Sequence, residues 1–140
     1  MLIGAGKRPD KARLGQLSHD VMAIDTAVYC MDNYNLSLTD FITEKQLHKQ
    51  DGFANRKHRP DFVMSYKGVS ICVEVELTNK AKDRVIANIK DNYTTYDKQL
   101  WIIPTRMMRT KNILSQSGYT DIYILESVVI TNYIEKRKGG

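Results

Sequence analysis

The sequence has little of what marks disulfide-rich, zinc-binding or membrane-spanning proteins. It contains two cysteines, Cys30 and Cys72, with no CxxC or Cys/His spacing. Two isolated thiols are typical of buried cysteines in a reducing compartment rather than of a disulfide or a zinc site. No apolar run approaches the roughly 20 residues of a membrane span, and the N-terminus lacks the apolar segment of a secretory signal. We therefore expect a cytoplasmic protein without a membrane segment.

Several familiar catalytic motifs are also missing. The sequence has no Gly-rich phosphate loop, no recognisable Ser/His/Asp set and no context for a nucleophilic cysteine. What it does have is 140 residues with 42% hydrophobic and 26% charged side chains, which fits one globular domain with its own core. The formal net charge of +5 favours a polyanionic partner such as nucleic acid.

The apolar pattern predicts an α/β domain. Apolar residues at steps of three and four predict a helix over 12–33 with one apolar stripe, formed by Leu14, Leu17, Val21, Ile24, Val28 and Met31. Strands are predicted over 38–47, 61–66, 69–77, 100–104 and 121–126, and further helices over 80–96 and 106–117. This order predicts a three-strand meander followed by a crossover helix and further strands, giving a mixed sheet flanked by helices.

Local signals set the expected boundaries. Lys67-Gly68 predicts a tight hairpin turn, and Thr78 or Asn79 is a candidate N-cap for the helix after the third strand. Residues 1–11 are expected to form a basic lead-in or linker, residues 12–134 a single domain, and residues 135–140 a frayed tail.

The strand over 69–77 carries acidic residues among apolar ones. Because alternate strand residues share a face, its apolar side chains are expected on the core, whereas Glu74 and Glu76 point together to the other face. Asp61 opens the partner strand of the hairpin, so we expect it near the same end of the sheet. Three such carboxylates repel one another unless basic side chains or a divalent cation neutralise them.

Both ways of neutralising these carboxylates are consistent with the sequence. Hard oxygen ligands suit Mg²⁺ or Mn²⁺, and such a cation can activate water and polarise a phosphoryl oxygen. Alternatively, the glutamates form ion pairs with nearby basic side chains, for which Lys80, Lys82 and Arg84 are candidates.

Four stretches of the chain carry a resemblance to a known family. RPDFV (59–63) followed by VEVELTNK (73–80) resembles the PD-(D/E)xK, or restriction-endonuclease-like, nuclease superfamily, and the predicted element order is similar to that fold core. With LSHDVMAID (17–25), FITEKQL (41–47) and YDKQLWIIP (96–104), the chain is most similar to the replication-relaxation family of plasmid and mobile-element proteins. The resemblance implies DNA as the partner and, commonly in that family, a winged-helix domain before the nuclease-like part.

The resemblance also implies roles for individual residues. Asp61 and Glu74 match the metal-holding acids of the superfamily, and Glu44, expected late in the first strand, resembles a further acidic ligand. His19 resembles a histidine on the first helix of the family, and Gln99 falls where some of these nucleases have a glutamine near the site.

One position departs from the superfamily pattern. Glu76 stands where the nucleases have the lysine of ExK, which steadies developing negative charge or positions water. Glu76 can instead help to hold metal, and Lys80 either supplies the missing charge or forms a surface ion pair. Metal-dependent DNA hydrolysis and an inactive DNA-binding or assembly module in plasmid replication or transfer both remain open, as does an acidic patch that binds protein rather than DNA.

A basic segment, NRKHR at 55–59, directly precedes Asp61. Arg56, Lys57 and Arg59 are candidate phosphate contacts that would position a DNA backbone without reading bases. The alternative is a solvated loop. A homo-oligomer is a further possibility that the sequence leaves open.

Overall fold

The structure is a computed structural model that describes residues 11–51 and 58–139. Five strands form one mixed sheet in chain order, so the predicted α/β class with a mixed sheet is confirmed. The first three strands are antiparallel neighbours, and the last two run parallel to the third. The strands are β1 (Phe41–Thr43), β2 (Phe62–Tyr66), β3 (Val69–Val75), β4 (Lys98–Ile103) and β5 (Ile122–Glu126).

Helices cover both faces of the sheet. Within the described ranges they are α1 (Lys11–Tyr34), α2 (Glu44–Asp51), α3 (Lys82–Thr95), α4 (Met108–Ser115) and α5 (Ser127–Gly139), with a short 3₁₀ turn at Leu38–Asp40. The helices α3 and α4 are the crossovers that join the parallel strands. In residues 11–51 and 58–139, no helix combines the length and apolar character needed to cross a membrane.

The predicted hairpin between β2 and β3 fixes the position of Asp61. Lys67 and Gly68 both have positive φ values, 51° and 79°, as a two-residue turn that matches strand twist requires. The resulting register pairs Phe62 with Val73, and the Asp61 N–H donates to the Val73 carbonyl oxygen at 3.0 Å. Asp61 therefore lies beside the second half of β3, where the glutamates begin.

Each face of the sheet has its own apolar core. On one face, α1 and α5 pack on the apolar side of β3, as predicted for Val73 and Val75, through Cys30, Ile130 and Ile134. On the opposite face, α3 and α4 pack around Trp101 and Ile103, with Val85, Ile89, Ile113 and Leu114. The side chain of Glu74 lies on this second face, where Asn92 of α3 contacts it, whereas Glu76 follows the end of β3 and lines a cavity with Gln16 and His19 of α1.

Most of the apolar stripe of α1 lies away from the side of the helix that packs on the sheet. Four of its members, Leu14, Leu17, Val21 and Ile24, are 49–64% exposed. The side of α1 that packs on the sheet instead carries small residues, Ala23, Thr26, Ala27 and Cys30, of which Thr26 and Cys30 are fully buried. Met22, Val28 and Tyr29 pack against the same core at the edges of this side.

The strand predicted over 38–47 is mostly wrong. Only Phe41–Thr43 is strand, and α2 begins at Glu44. The Gln46 N–H donates to Thr43 Oγ1 at 3.2 Å, while Gln46 Oε1 accepts from the Thr43 N–H at 2.8 Å. This reciprocal pair is a capping box, which starts a helix after Thr43. Glu44 is therefore the first residue of a helix, not a late residue of a strand.

Two other boundaries also differ from expectation. Neither Thr78 nor Asn79 caps α3, whose N-cap is Ala81; Asn79 Oδ1 instead accepts a hydrogen bond from Thr110 Oγ1 at 2.7 Å. The segment expected to fray from residue 135 continues α5 to Gly139. In that segment Arg137 Nε lies 3.0 Å from Asp32 Oδ2, which ties the end of α5 to α1.

Candidate functional site

A polar cavity of about 460 Å³ opens near the carboxyl end of β3. It brings together most of the site residues predicted from sequence, although they come from α1, α2, β3 and two connecting segments. Those lining it are His19, Glu44, Arg59, Asp61, Glu74, Glu76 and Lys80. Arg56 and Lys57 lie outside the described residues. The convergence of these residues makes the cavity the candidate functional site.

Both carboxylate oxygens of Asp61 are engaged. Oδ2 accepts a hydrogen bond from the Val75 N–H at 2.6 Å, and Oδ1 lies 3.0 Å from His19 Nε2. The hydrogen bond to Asp61 is the largest cause that raises the pKa of His19, to about 9, against the opposing effect of burial. His19 is therefore an imidazolium at neutral pH and forms an ion pair with Asp61 across the cavity wall.

Glu74 is the most deeply buried carboxylate of the site. Its side chain is 3% exposed, and Oε2 accepts from His58 Nε2 at 2.5 Å and from Asn92 Nδ2 at 2.9 Å. Burial raises the pKa of Glu74, and the bond to His58 opposes that effect. Burial also disfavours charge on His58, but the hydrogen bond and charge of Glu74 outweigh it and raise the pKa of His58.

Glu76 and Lys80 form the third pair in the cavity. Lys80 Nζ lies 2.7 Å from Glu76 Oε1, in the segment that joins β3 to α3. Two arginines from more distant parts of the chain hold this segment. Arg106, in the turn before α4, donates to the Leu77 carbonyl, and Arg109, in α4, donates to the Lys80 carbonyl, each at 3.2 Å. The ammonium group of Lys80 thus lines the cavity, where it could supply the charge missing at Glu76. It also forms an ion pair with a carboxylate, which was the alternative prediction for Lys80.

Glu44 occupies the rim of the cavity. Its N–H donates to the Asp61 carbonyl at 3.2 Å, and its half-exposed carboxylate lies 3.7 Å from His48 Nε2. The start of α2 is thereby attached to the segment that presents Asp61.

Gln99 does not line the cavity. It is fully buried behind Glu74, where Asn92 Nδ2 lies 3.3 Å from Gln99 Oε1. Gln99 also accepts from Trp101 Nε1 at 3.1 Å and donates to Asp121 Oδ2 at 3.0 Å. It therefore acts on the site only through Asn92, as part of a buried polar network.

Sequence analysis missed two residues that contact Glu74. His58 was part of the basic segment but had no assigned role, although it stands three residues before Asp61. Asn92 occupies a buried position one turn beyond Ile89 on the apolar face of α3. An amide on such a face signals a buried hydrogen-bond partner, but the identity of that partner depends on contacts between distant parts of the chain.

The donor chemistry of the cavity fits a hard divalent cation. Asp61 and Glu74 supply carboxylate oxygens, and Mg²⁺ commonly uses only one or two carboxylates and completes its shell with water and substrate phosphates. In the part of the chain that the structure describes, no group of three or more His, Cys, Asp or Glu side chains is arranged to hold a metal. Each acid is instead paired with its own donor.

Comparison with known proteins adds no relative. The sequence matches no protein-family model, and no curated protein or solved structure is significantly similar to it. The likeness to the PD-(D/E)xK nucleases therefore remains a resemblance in short motifs, and the functional hypothesis depends on the site itself.

Proposed function

We propose that this chain is a restriction-endonuclease-like protein of a plasmid or mobile element, which acts on DNA in the cytoplasm and hydrolyses phosphodiester bonds with Mg²⁺ or Mn²⁺. One observation carries the proposal: Asp61 and Glu74, from separate segments, line one polar cavity whose walls also carry Arg59, Lys80 and Arg84. Carboxylates suit the cation, and the basic side chains attract the phosphodiester, so the same cavity accommodates both.

Asp61 and Glu74 are the residues that would hold the cation, with Glu76 beside them. A bound Mg²⁺ or Mn²⁺ supplies an activated water and polarises the phosphoryl oxygen. The oxygens of Asp61 are positioned by His19 and the Val75 N–H, and Glu74 is positioned by Asn92 and His58.

Lys80 has the role that the superfamily gives to the lysine of ExK. Its ammonium group lies in the cavity wall and is oriented by Glu76. The Arg109 side chain, which donates to the Lys80 carbonyl oxygen, holds the backbone of Lys80 in place. In this position it offsets negative charge that develops on a phosphate. Glu76 thus acts on the substrate through Lys80.

Cleavage of supercoiled plasmid DNA in Mn²⁺ or Mg²⁺ tests the proposal. We expect nicked or linear product with the wild-type protein, and a loss of at least about 100-fold with Asp61→Asn or Glu74→Gln, the scale of losing a group that stabilises a transition state. Glu135→Gln, which removes an exposed carboxylate of α5 far along the chain from the cavity, should cleave normally. Equal cleavage by Asp61→Asn and the wild type would contradict the proposal.

The second candidate function is a DNA-binding or assembly module of the same fold that does not hydrolyse DNA. It is favoured by Glu76 in place of the lysine and by the 2.7 Å pair that occupies Lys80. The two functions differ in their response to metal. Hydrolysis predicts that Mn²⁺ raises the melting temperature of the wild type but not of Glu74→Ala, whereas the module predicts DNA binding with neither cleavage nor a metal-induced shift.

A further inference from the structure

Three cavities across the site share lining residues, and we refer to them together as the groove. The central cavity shares Glu44, His48 and Asp61 with a cavity of about 530 Å³ beside α2. On its other side it shares Gln16, His19, Glu76 and Lys80 with a cavity of about 400 Å³ beside the first turns of α1. A DNA strand that occupied all three cavities would run from α2, past the carboxylates, to the segment after β3.

The α2 end of this groove carries two lysines beside the acidic Glu44 and Asp61. Lys45 and Lys49 are exposed, lie four residues apart and so share one side of the helix, and both line the 530 Å³ cavity. Glu44, the acid in the first turn, has His48 as its ion-pair partner rather than either lysine. Neither lysine was a candidate DNA contact in the sequence: Lys45 fell in the strand predicted over 38–47, and Lys49 in the polar stretch after it.

We propose that Lys45 and Lys49 form a phosphate-binding subsite that holds the sugar–phosphate backbone of DNA next to the cavity in which the reacting phosphate binds. The inference rests on the proposed action on DNA and adds the path of the DNA strand across the protein surface, from α2 past Asp61 to Lys80. Lysine ammonium groups bind phosphates as point charges and do not read bases, so the subsite contributes affinity for any sequence.

Fluorescence anisotropy with a labelled oligonucleotide in EDTA tests the subsite in the full chain. We expect the Lys45→Ala/Lys49→Ala variant to bind about 10-fold or more weakly at low salt. The slope of log affinity against log salt should fall by about 1.4–1.8, the value for two lost phosphate contacts. The control, Lys136→Ala/Lys138→Ala in the last turn of α5, removes the same charge and should keep the wild-type slope. Lys45→Arg/Lys49→Arg should restore binding.

Each outcome separates this inference from the proposed hydrolysis. An unchanged slope in the α2 variant, or equal losses in the α2 and α5 variants, overturns the subsite even if the protein cleaves DNA. A lower slope that is specific to α2 supports the subsite even if no metal produces cleavage, in which case only the hydrolysis proposal fails. Because both lysines are exposed, circular dichroism should show that the variants remain folded.

Discussion

At the scale of single residues, the buried Glu74 is the feature that most needs a physical explanation. A carboxylate that is 3% exposed loses its hydration, which is costly unless the charge is paired and hydrogen-bonded. His58 and Asn92 both donate to the same oxygen of Glu74, and they offset that cost. Placing an acid where valine would pack better is thus tolerated because α3 and the segment before β2 each provide a donor.

The pair between His19 and Asp61 predicts a pH-dependent stability. The pKa of His19 is about 9 in the folded protein and 6.5 in the unfolded chain, so the folded state binds the proton more tightly. This stabilisation is fully present below pH 6.5 and is lost as the pH rises to about 9. After discounting for solvent screening, we expect roughly 1–2 kcal/mol.

Urea denaturation in EDTA at several pH values measures this effect. The difference in unfolding free energy between the wild type and His19→Gln should shrink as the pH rises from 6.5 to 9. His48→Gln, at the rim of the same cavity, serves as the control and should not reproduce this change. A constant difference across the range would show that His19 does not titrate as expected.

At the scale of elements, α1 makes a prediction that opposes its sequence pattern. Ile24 belongs to the clearest apolar stripe in the chain but is 64% exposed, whereas Ile89 on α3 is fully buried. We expect Ile24→Ala to change the unfolding free energy by less than about 0.5 kcal/mol. Ile89→Ala should cost about 2–5 kcal/mol, because it leaves a cavity in the core. Chemical denaturation compares the two directly, and similar costs would mean that the stripe of α1 is covered.

The elements also differ in how far the sequence could predict them. The alternation in β3 and the Lys67-Gly68 turn are local signals, and they correctly placed Glu74 on the face opposite Val73 and Val75. The capping box at Thr43 was equally local, but it was not among the signals from which the strand over 38–47 was predicted. The orientation of α1 could not be read from its stripe, because burial depends on which side fits the sheet.

The site was predictable where its residues lie in or next to the β2–β3 hairpin. Asp61 and Glu74 follow from the hairpin register, whereas Asn92 reaches Glu74 from a helix 18 positions along the chain. Periodicity places Asn92 on the buried face of α3 but does not say which side chain it meets. The placement of Lys45 and Lys49 on one side of a helix could not be predicted, because the sequence pattern assigned Lys45 to a strand.

At the scale of the whole molecule, one sheet is shared by two cores. Val73 and Ile102 contribute to the core under α1 and α5, and their strand neighbour Trp101 contributes to the core under α3 and α4. Neither core can lose its packing without disturbing strands that the other uses. The site lies near one end of this shared sheet, so its geometry depends on both cores.

This arrangement predicts a single cooperative unfolding transition. Trp101 is the sole tryptophan and is fully buried, so its fluorescence reports on the α3 and α4 side, whereas far-UV circular dichroism reports on all helices. We expect the two signals to give coincident urea transitions. Ile130→Ala, in the core on the opposite face, should lower the unfolding free energy by about 2–5 kcal/mol. The urea midpoints of the two signals should therefore fall by the same amount. If Ile130→Ala moved the circular dichroism transition but left the Trp101 transition in place, the two faces of the sheet would be independent units, and the shared-sheet explanation of the site would be wrong.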